Sequence, residues 1–217
     1  MPSIIDSTIG NATSGTAVSV AAPSSSVGNV AWVVVMVNTN TTIVDNNGST
    51  TFDKVVSETN VPAAGATAAL FRRVLQSGDP STFAFTSGAT GRWTAVAFTT
   101  DAVATPDDGP DASTGGDLAT PTAAALTTTV ANTLHVVACM ADISAATITG
   151  PSGYTLIETL TSGGQCLRVA YASVPSAGSV AAQTFGPDPP GFEWVTFSWA
   201  VAGGGTASTR LMLLGIG

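Results

Sequence analysis

Val30-Ala31-Trp32-Val33-Val34-Val35-Met36-Val37 is the longest strongly apolar run in the chain. A membrane helix needs about 20 such residues. A short run rich in β-branched side chains predicts a buried strand instead. The run has a counterpart. Residues 32–37 align with Leu134-His135-Val136-Val137-Ala138-Cys139 at an offset of 102. Residues 52–58 align with 154–160, also at 102, and residues 92–98 with 193–199 at 101. Between the last two blocks lie residues 70–74 and 167–171, each running into a glycine-containing turn: Gln76-Ser77-Gly78-Asp79-Pro80 in one, Val174-Pro175-Ser176-Ala177-Gly178 in the other. Repetition on this scale decides a fold before any single element does.

Each copy reads as strands. In residues 92–98, Trp93, Ala95 and Ala97 alternate with Thr94, Val96 and Phe98. Side chains two apart share a face, so such strands cover a core on at least one side. Turn chemistry punctuates the pattern at Asp45-Asn46-Asn47-Gly48, Ser87-Gly88, Gly150-Pro151-Ser152-Gly153 and Ser162-Gly163-Gly164. No segment holds a helical apolar period over three turns. Strands are expected at 17–21, 30–37, 52–58, 68–75, 82–86 and 92–99, and again at 123–129, 133–140, 154–160, 166–173, 180–185 and 193–201. The expected fold is all-β: a jelly-roll-like antiparallel β-sandwich built from two internal repeats. Two small tandem sandwiches would leave many edges exposed, so one larger interleaved sandwich is favoured.

On this reading residues 1–16 form an N-terminal arm that orders on a partner or on its own sheet. Residues 17–203 form the sandwich, as repeats 17–103 and 123–203 joined by an acidic loop, 104–122. Residues 204–217 form an apolar C-terminal tail behind a glycine hinge. The tail's Leu211, Met212, Leu213, Leu214 and Ile216, with Ile4 and Ile5 near the other end, are the candidate partner-binding residues. Left in water they would be an aggregation hazard, so the tail either packs on its own domain or docks on a partner.

The chemistry-bearing residues are few. Of 217 residues only 9% are charged, with 14 acids against 6 Lys and Arg and a net charge of −8. That balance excludes a phosphate-facing basic surface, so no nucleic acid is expected. Lys54 and His135 are the single lysine and histidine. Cys139 and Cys166 lie in strand-like segments and read as buried free thiols, with a cross-strand disulfide open if the strands are neighbours. One histidine and no CxxC spacing predict no metal site. Five acids (Asp101, Asp107, Asp108, Asp111, Asp117) crowd the connector. Carboxylates there suit Ca²⁺, but the reading preferred is a solvated loop. His135 reads as structural, because Val33 stands at its place in the other copy. There is no G-x-S-x-G elbow, and Glu58, Glu158 and Glu193 make a poor catalytic pair. Trp32, Trp93, Trp194 and Trp199 read as core. No enzyme activity, cofactor or membrane span is expected. The first residues lack a basic or apolar leader pattern, so synthesis and folding in a cytosol are expected.

Residues 127–137, Thr-Thr-Thr-Val-Ala-Asn-Thr-Leu-His-Val-Val, followed by Gly150-Pro151-Ser152-Gly153-Tyr154-Thr155-Leu156, are similar to a "TTTANTLVV…PPGWT" pattern. That pattern occurs in β-sandwich proteins of tailed bacteriophages and prophages. Arg73-Val74-Leu75-Gln76-Ser77-Gly78-Asp79-Pro80-Ser81-Thr82-Phe83 resembles the same group's "R-V-x-x-G-D-P-x-T-F/Y". The resemblance covers residues 17–203. Tyr154, and Phe52 in the first copy, stand where that group has tryptophan. The resemblance implies a virion structural protein assembled in the host cytoplasm. It would be a capsid decoration (cement) protein binding the major capsid lattice and copies of itself, most simply as a trimer, or else a carbohydrate- or receptor-binding module of a tail or fibre.

Overall fold

A computed structural model of the chain describes residues 1–61, 65–101, 112–117, 120–141, 148–162, 164–186 and 193–202, with backbone alone at 57–61, 112–117 and 193. Among these residues there is no helix, and every strand pair is antiparallel. The first half holds β1 (Ile4–Ala12), β2 (Ala17–Ala21), β3 (Val30–Val37), β4 (Ile43–Asp45), β5 (Asp53–Val61), β6 (Ala66–Val74), β7 (Thr82–Ser87) and β8 (Trp93–Thr100). The second holds β9 (Ala112–Asp117), β10 (Thr122–Ala123), β11 (Leu126–Thr128), β12 (Thr133–Ala141), β13 (Thr155–Ser162), β14 (Gln165–Val174), β15 (Gly178–Val180), β16 (Gln183–Thr184) and β17 (Glu193–Val201).

Each half builds one five-stranded sheet: β1-β8-β3-β6-β5 in the first, β9-β17-β12-β14-β13 in the second. These are the same order, strand for strand. A smaller layer covers the outer face of each. In the first half it is β2-β7-β4. In the second, β10 pairs β16 and β11 pairs β15 in a single register, so the two ribbons are one interrupted ladder. A β-bulge lies between Lys54 and Val56 on β5, and another between Leu156 and Glu158 on β13. The two bulges are 102 residues apart, at matching places in the halves.

The continuous apolar runs follow from burial on both faces. Val30, Trp32, Val34 and Met36 of β3 point into a central core shared with Leu134, Val136, Ala138 and Met140 of β12. Ala31, Val33, Val35 and Val37 point the other way, onto the outer sheet's Val18, Val20, Phe83 and Phe85. Val137, Cys139 and Ala141 do the same beneath Ala123 and Phe185. The molecule is therefore four layers deep, with the two large sheets face to face. Trp32, Phe98 and Trp199 meet at its centre, at ring separations of 6.0–6.5 Å.

The sheets face each other with their edges exchanged. β1 lies beside β13, and β5 beside β9. Along the first seam Ser7 Oγ donates to Glu158 Oε1 at 2.8 Å, and Asn11 Nδ2 to Ser162 Oγ at 2.7 Å. Both contacts span 151 residues, so β1 and β13 run in the same direction. A pseudo-two-fold axis parallel to the strands relates the halves.

Several expectations change. No described strand crosses between halves, so the favoured interleaving does not occur. The edges are handled locally instead. Of the two settings expected for residues 1–16 the described chain shows the second, since Ile4–Ala12 pairs with β8 of its own sheet. Its free edge is covered by the β2 side, where Thr8 Oγ1 donates to the Ala21 carbonyl and Asp6 accepts from Ser24 N. The approach is close enough that a Cβ on Gly10 would meet the Ser19 carbonyl at 2.6 Å. The connector is likewise not all loop, because Ala112–Asp117 pairs with β17 as the counterpart of β1. The register also shifts the repeat. Trp32 faces Phe98 across its ladder, whereas Trp199 faces Val136. With Trp93 matched to Trp194, β3 maps to β12 at 104, not 102. The counterpart of His135 is therefore Ala31, not Val33.

Candidate interaction surface

His135 is fully buried. Its Nδ1 bonds the Tyr154 hydroxyl at 2.5 Å, and its Nε2 bonds Ser198 Oγ at 2.8 Å. Burial pushes the imidazole down to about 4 and the Tyr154 phenol up to about 12. Both stay neutral at ordinary pH, and each hydroxyl satisfies a ring nitrogen. Ser198 is itself fully buried, with no path for a substrate to its Oγ. The trio joins β12, β17 and the turn before β13. It fills space where the first half has Ala31, Ala97 and Phe52. Sequence reading reached His135 but not its partners, which strand pairing alone brings near.

The motif around Arg73 is a clamp. Asp79 accepts Arg73 Nε at 2.9 Å, Arg73 Nη2 at 2.7 Å and the Gln76 amide at 2.9 Å. Arg73 Nη1 also reaches the Thr51 carbonyl at 2.7 Å. The pair is nearly buried, at 11% and 9% side-chain exposure. The guanidinium holds the Asp79 carboxyl below the usual carboxylate range. Gly78 supplies a φ of +89° that a side chain would resist. Beside the clamp lies a cleft of about 250 Å³ between residues 22–27 and the 75–80 turn. Leu75 and Phe83 line it, Val27 edges it, and Ser25, Ser26 and Ser77 add hydroxyls. Asp79 is already spent on Arg73, so the cleft offers no unpaired charge.

The large apolar side chains left in water are not scattered. Val30, Val74 and Thr100 share one end of the first sheet. Leu134, Val174 and Val201 mark the same end of the second. At or near this end lie Met1 (55% exposed), Ile5 (42%), Val27 (68%), Val74 (42%), Val130 (44%) and Leu156 (43%). Only Ile9 and Val44, among the described large hydrophobics that are exposed, lie elsewhere. The seam offset of 151 carries Ile5 to Leu156, and Val27 and Val130 sit on corresponding loops before β3 and β12. The six come from both halves, and the pseudo-two-fold axis brings them to the same end of the molecule.

The remaining candidates fall as follows. Ile4 is half-buried against the central core, and Ile5 is exposed. Leu211, Met212, Leu213, Leu214 and Ile216 lie outside the described residues, as do Asp107, Asp108 and Asp111. The side chains of Glu58, Asp117 and Glu193 are also outside them. Asp101 accepts two hydrogen bonds from Ser3. Cys139 and Cys166 are buried free thiols on adjacent strands. Cys139 pairs with Arg168 and Cys166 with Ala141, so the thiols are diagonal rather than opposite. All four tryptophans are buried. No helix among the described residues is long and apolar enough to cross a membrane. Comparison with protein-family models, with curated proteins and with solved structures finds no match.

Proposed function

We propose that this chain is a structural protein of a tailed-phage virion, a decoration protein that binds the assembled capsid shell and stabilises it. The observation that carries the reading is the apolar end. Both halves contribute to it. A ligand that binds only the assembled lattice stabilises that lattice by mass action. The rest of the surface has few charges and a net negative balance, which suits contact with protein rather than with packaged nucleic acid. The resemblance supports the same reading, because its motif residues here make a turn and its clamp. We further infer that the chain is a duplicated jelly roll. β1-β8-β3-β6 opposite β2-β7-β4 follows the jelly-roll wrap, with β5 moved beside β6. Self-association as a trimer on the shell belongs to this proposal.

The glycan-binding alternative needs exposed aromatic rings for stacking, and the tryptophans here are buried. Quantitative mass spectrometry of purified virions tests the role. The proposal expects copies in numbers comparable to the capsid subunit. Absence from particles, or only a few copies each, would contradict it.

A further inference from the structure

We propose that Asn47–Gly48 is a latent deamidation site, held unreactive by the fold, and that its conversion unfastens the 45–52 loop from β7. The inference stands apart from the virion reading. Asn-Gly occurs once in the chain. It is the most reactive setting for an asparagine, because glycine has no side chain to shield its amide nitrogen. Gly48 is exposed, with a φ of +66°, and a Cβ placed on it would meet nothing within 4 Å. Solvent reaches the residue that carries the attacking nitrogen.

The carboxamide is what the fold restrains. Asn47 Nδ2 donates to the Ala84 carbonyl at 2.8 Å and to Asp45 Oδ1, and Asn47 Oδ1 accepts from the Ala84 amide at 2.8 Å. Both of its donors are used, and its plane is fixed against β7. Asp45 is held in turn, since its Oδ2 accepts from the Phe52 amide at 3.2 Å. The Asn46 amide also donates to the Ala84 carbonyl, at 2.9 Å. Asn46 and the Asn47 side chain thus continue the β4–β7 ladder beyond Asp45. They tie down the loop that ends at Phe52, which is buried against Phe83.

Reaction undoes this arrangement. The Gly48 nitrogen gives its proton to base and bonds Asn47 Cγ. The Cγ–Nδ2 bond then breaks, and Nδ2 leaves with a proton from water as ammonia. Water opens the resulting succinimide at either carbonyl, to aspartate or isoaspartate. One water is consumed, one ammonia is released and nothing is oxidised. The attack makes Cγ tetrahedral, so the flat carboxamide that Ala84 and Asp45 hold is lost, and conversion proceeds through local opening of this edge. The product does not refit. A carboxylate at this position has no hydrogen to donate, and it sets a second negative charge against Asp45 and the Ala84 carbonyl. Isoaspartate also adds a methylene to the main chain of the turn. The site is a one-way release of the first half's outer edge.

The test follows the full chain in warm, mildly alkaline buffer, folded in one sample and unfolded in urea in the other. Peptide mapping reads conversion at Asn47 as the mass gain from amide to acid, and an isoaspartyl methyltransferase reads isoaspartate. The folded chain should convert no more than about one-tenth as fast as the unfolded one, since a single charge-assisted hydrogen bond is worth about tenfold. Asp45→Ala should raise the folded rate about tenfold on the same ground. Hydrogen exchange reads the product: in Asn47→Asp it should rise about tenfold in residues 43–52 and 82–87 and stay unchanged in residues 133–141. Equal conversion in folded and unfolded chain, no effect of Asp45→Ala, or unchanged exchange in residues 82–87 would overturn the proposal. So would exchange raised throughout the chain, which would mean global unfolding and not release of an edge.

Discussion

The two halves share a strand order and a bulge but fill their outer cores differently. In the first half the space under the small sheet is filled by phenylalanines. Phe52 meets Phe83 and Phe85 edge-on at 4.9 and 5.5 Å, and Phe71 meets Phe85 at 4.5 Å. Ala31 and Ala97 leave room for them. In the second half the counterparts of Ala31, Ala97 and Phe52 are His135, Ser198 and Tyr154. Among the described residues only Phe185 stands in for the phenylalanine cluster, and a hydrogen-bonded polar trio fills the space beside it. The same backbone thus tolerates two solutions: one held by non-directional packing, the other by groups that must all be satisfied together. The first half carries its polar specificity at the Arg73–Asp79 clamp instead, and the 174–178 turn of the second half has no such pair.

The largest expected effect breaks this contrast at the clamp. Arg73→Ala leaves a nearly buried carboxylate without its partner and costs about 3–5 kcal/mol. Urea denaturation checks it, and a loss under about 1 kcal/mol would mean that the turn holds its shape without the pair. Next comes acid. His135 is neutral in the fold, with its pKa lowered from 6.5 to about 4, so the unfolded chain takes up a proton first as pH falls. The stability it supports is present above pH 6.5 and is lost as pH drops toward 4, by about 3 kcal/mol in full. Denaturant melts from pH 7 to 4 should show this slope. A His135→Ala/Tyr154→Phe/Ser198→Ala variant, given the first half's residues, should lose that slope even if the cavity lowers its stability.

Smaller effects sharpen the comparison. Ser198→Ala strands one ring nitrogen and costs about 1–2 kcal/mol. Ala97→Ser, at the matching place among phenylalanines, buries a hydroxyl with no histidine to meet it and should cost as much or more. Equal tolerance at both positions would show that the trio is dispensable. At the seam, Ser7→Ala removes a partly exposed bond to Glu158 and should cost only about 0.5 kcal/mol.

These contrasts mark what could be read from the residues. Strands Val30–Val37 and Glu193–Val201 were fully legible, because β-branched and aromatic runs buried on both faces have few alternatives, and Ala17–Ala21 was legible from its strict alternation of buried and exposed positions. Ile4–Ala12 was not, since an edge strand of Ser, Thr, Gly and Asn looks like a tail until β8 pairs with it. Ala112–Asp117 was hidden by its two glycines and acidic surroundings. A strand pattern recurring at an offset of 101–102 was legible, but the ladder register was not. Sliding one Val-rich run two residues along another leaves the pattern almost unchanged, and only the ladder partners of Trp32 and Trp199 fix it. The apolar end was least legible. Its residues are exposed singly, on loops and strand ends from both halves, and the axis alone gathers them.

That gathering is the central claim, because it brings residues of two similar halves to one end. It depends on β1 and β13 running in the same direction, which places Asn11 opposite Ser162. Asn11 is exposed, Ser162 is half-buried and the two native thiols are buried, so Asn11→Cys/Ser162→Cys accepts paired spin labels selectively. The account predicts backbone sites about 10 Å apart, one sheet spacing, seen as strong dipolar broadening. If the halves ran in opposite directions, the sites would lie about 28 Å apart along the strands, and the broadening would vanish.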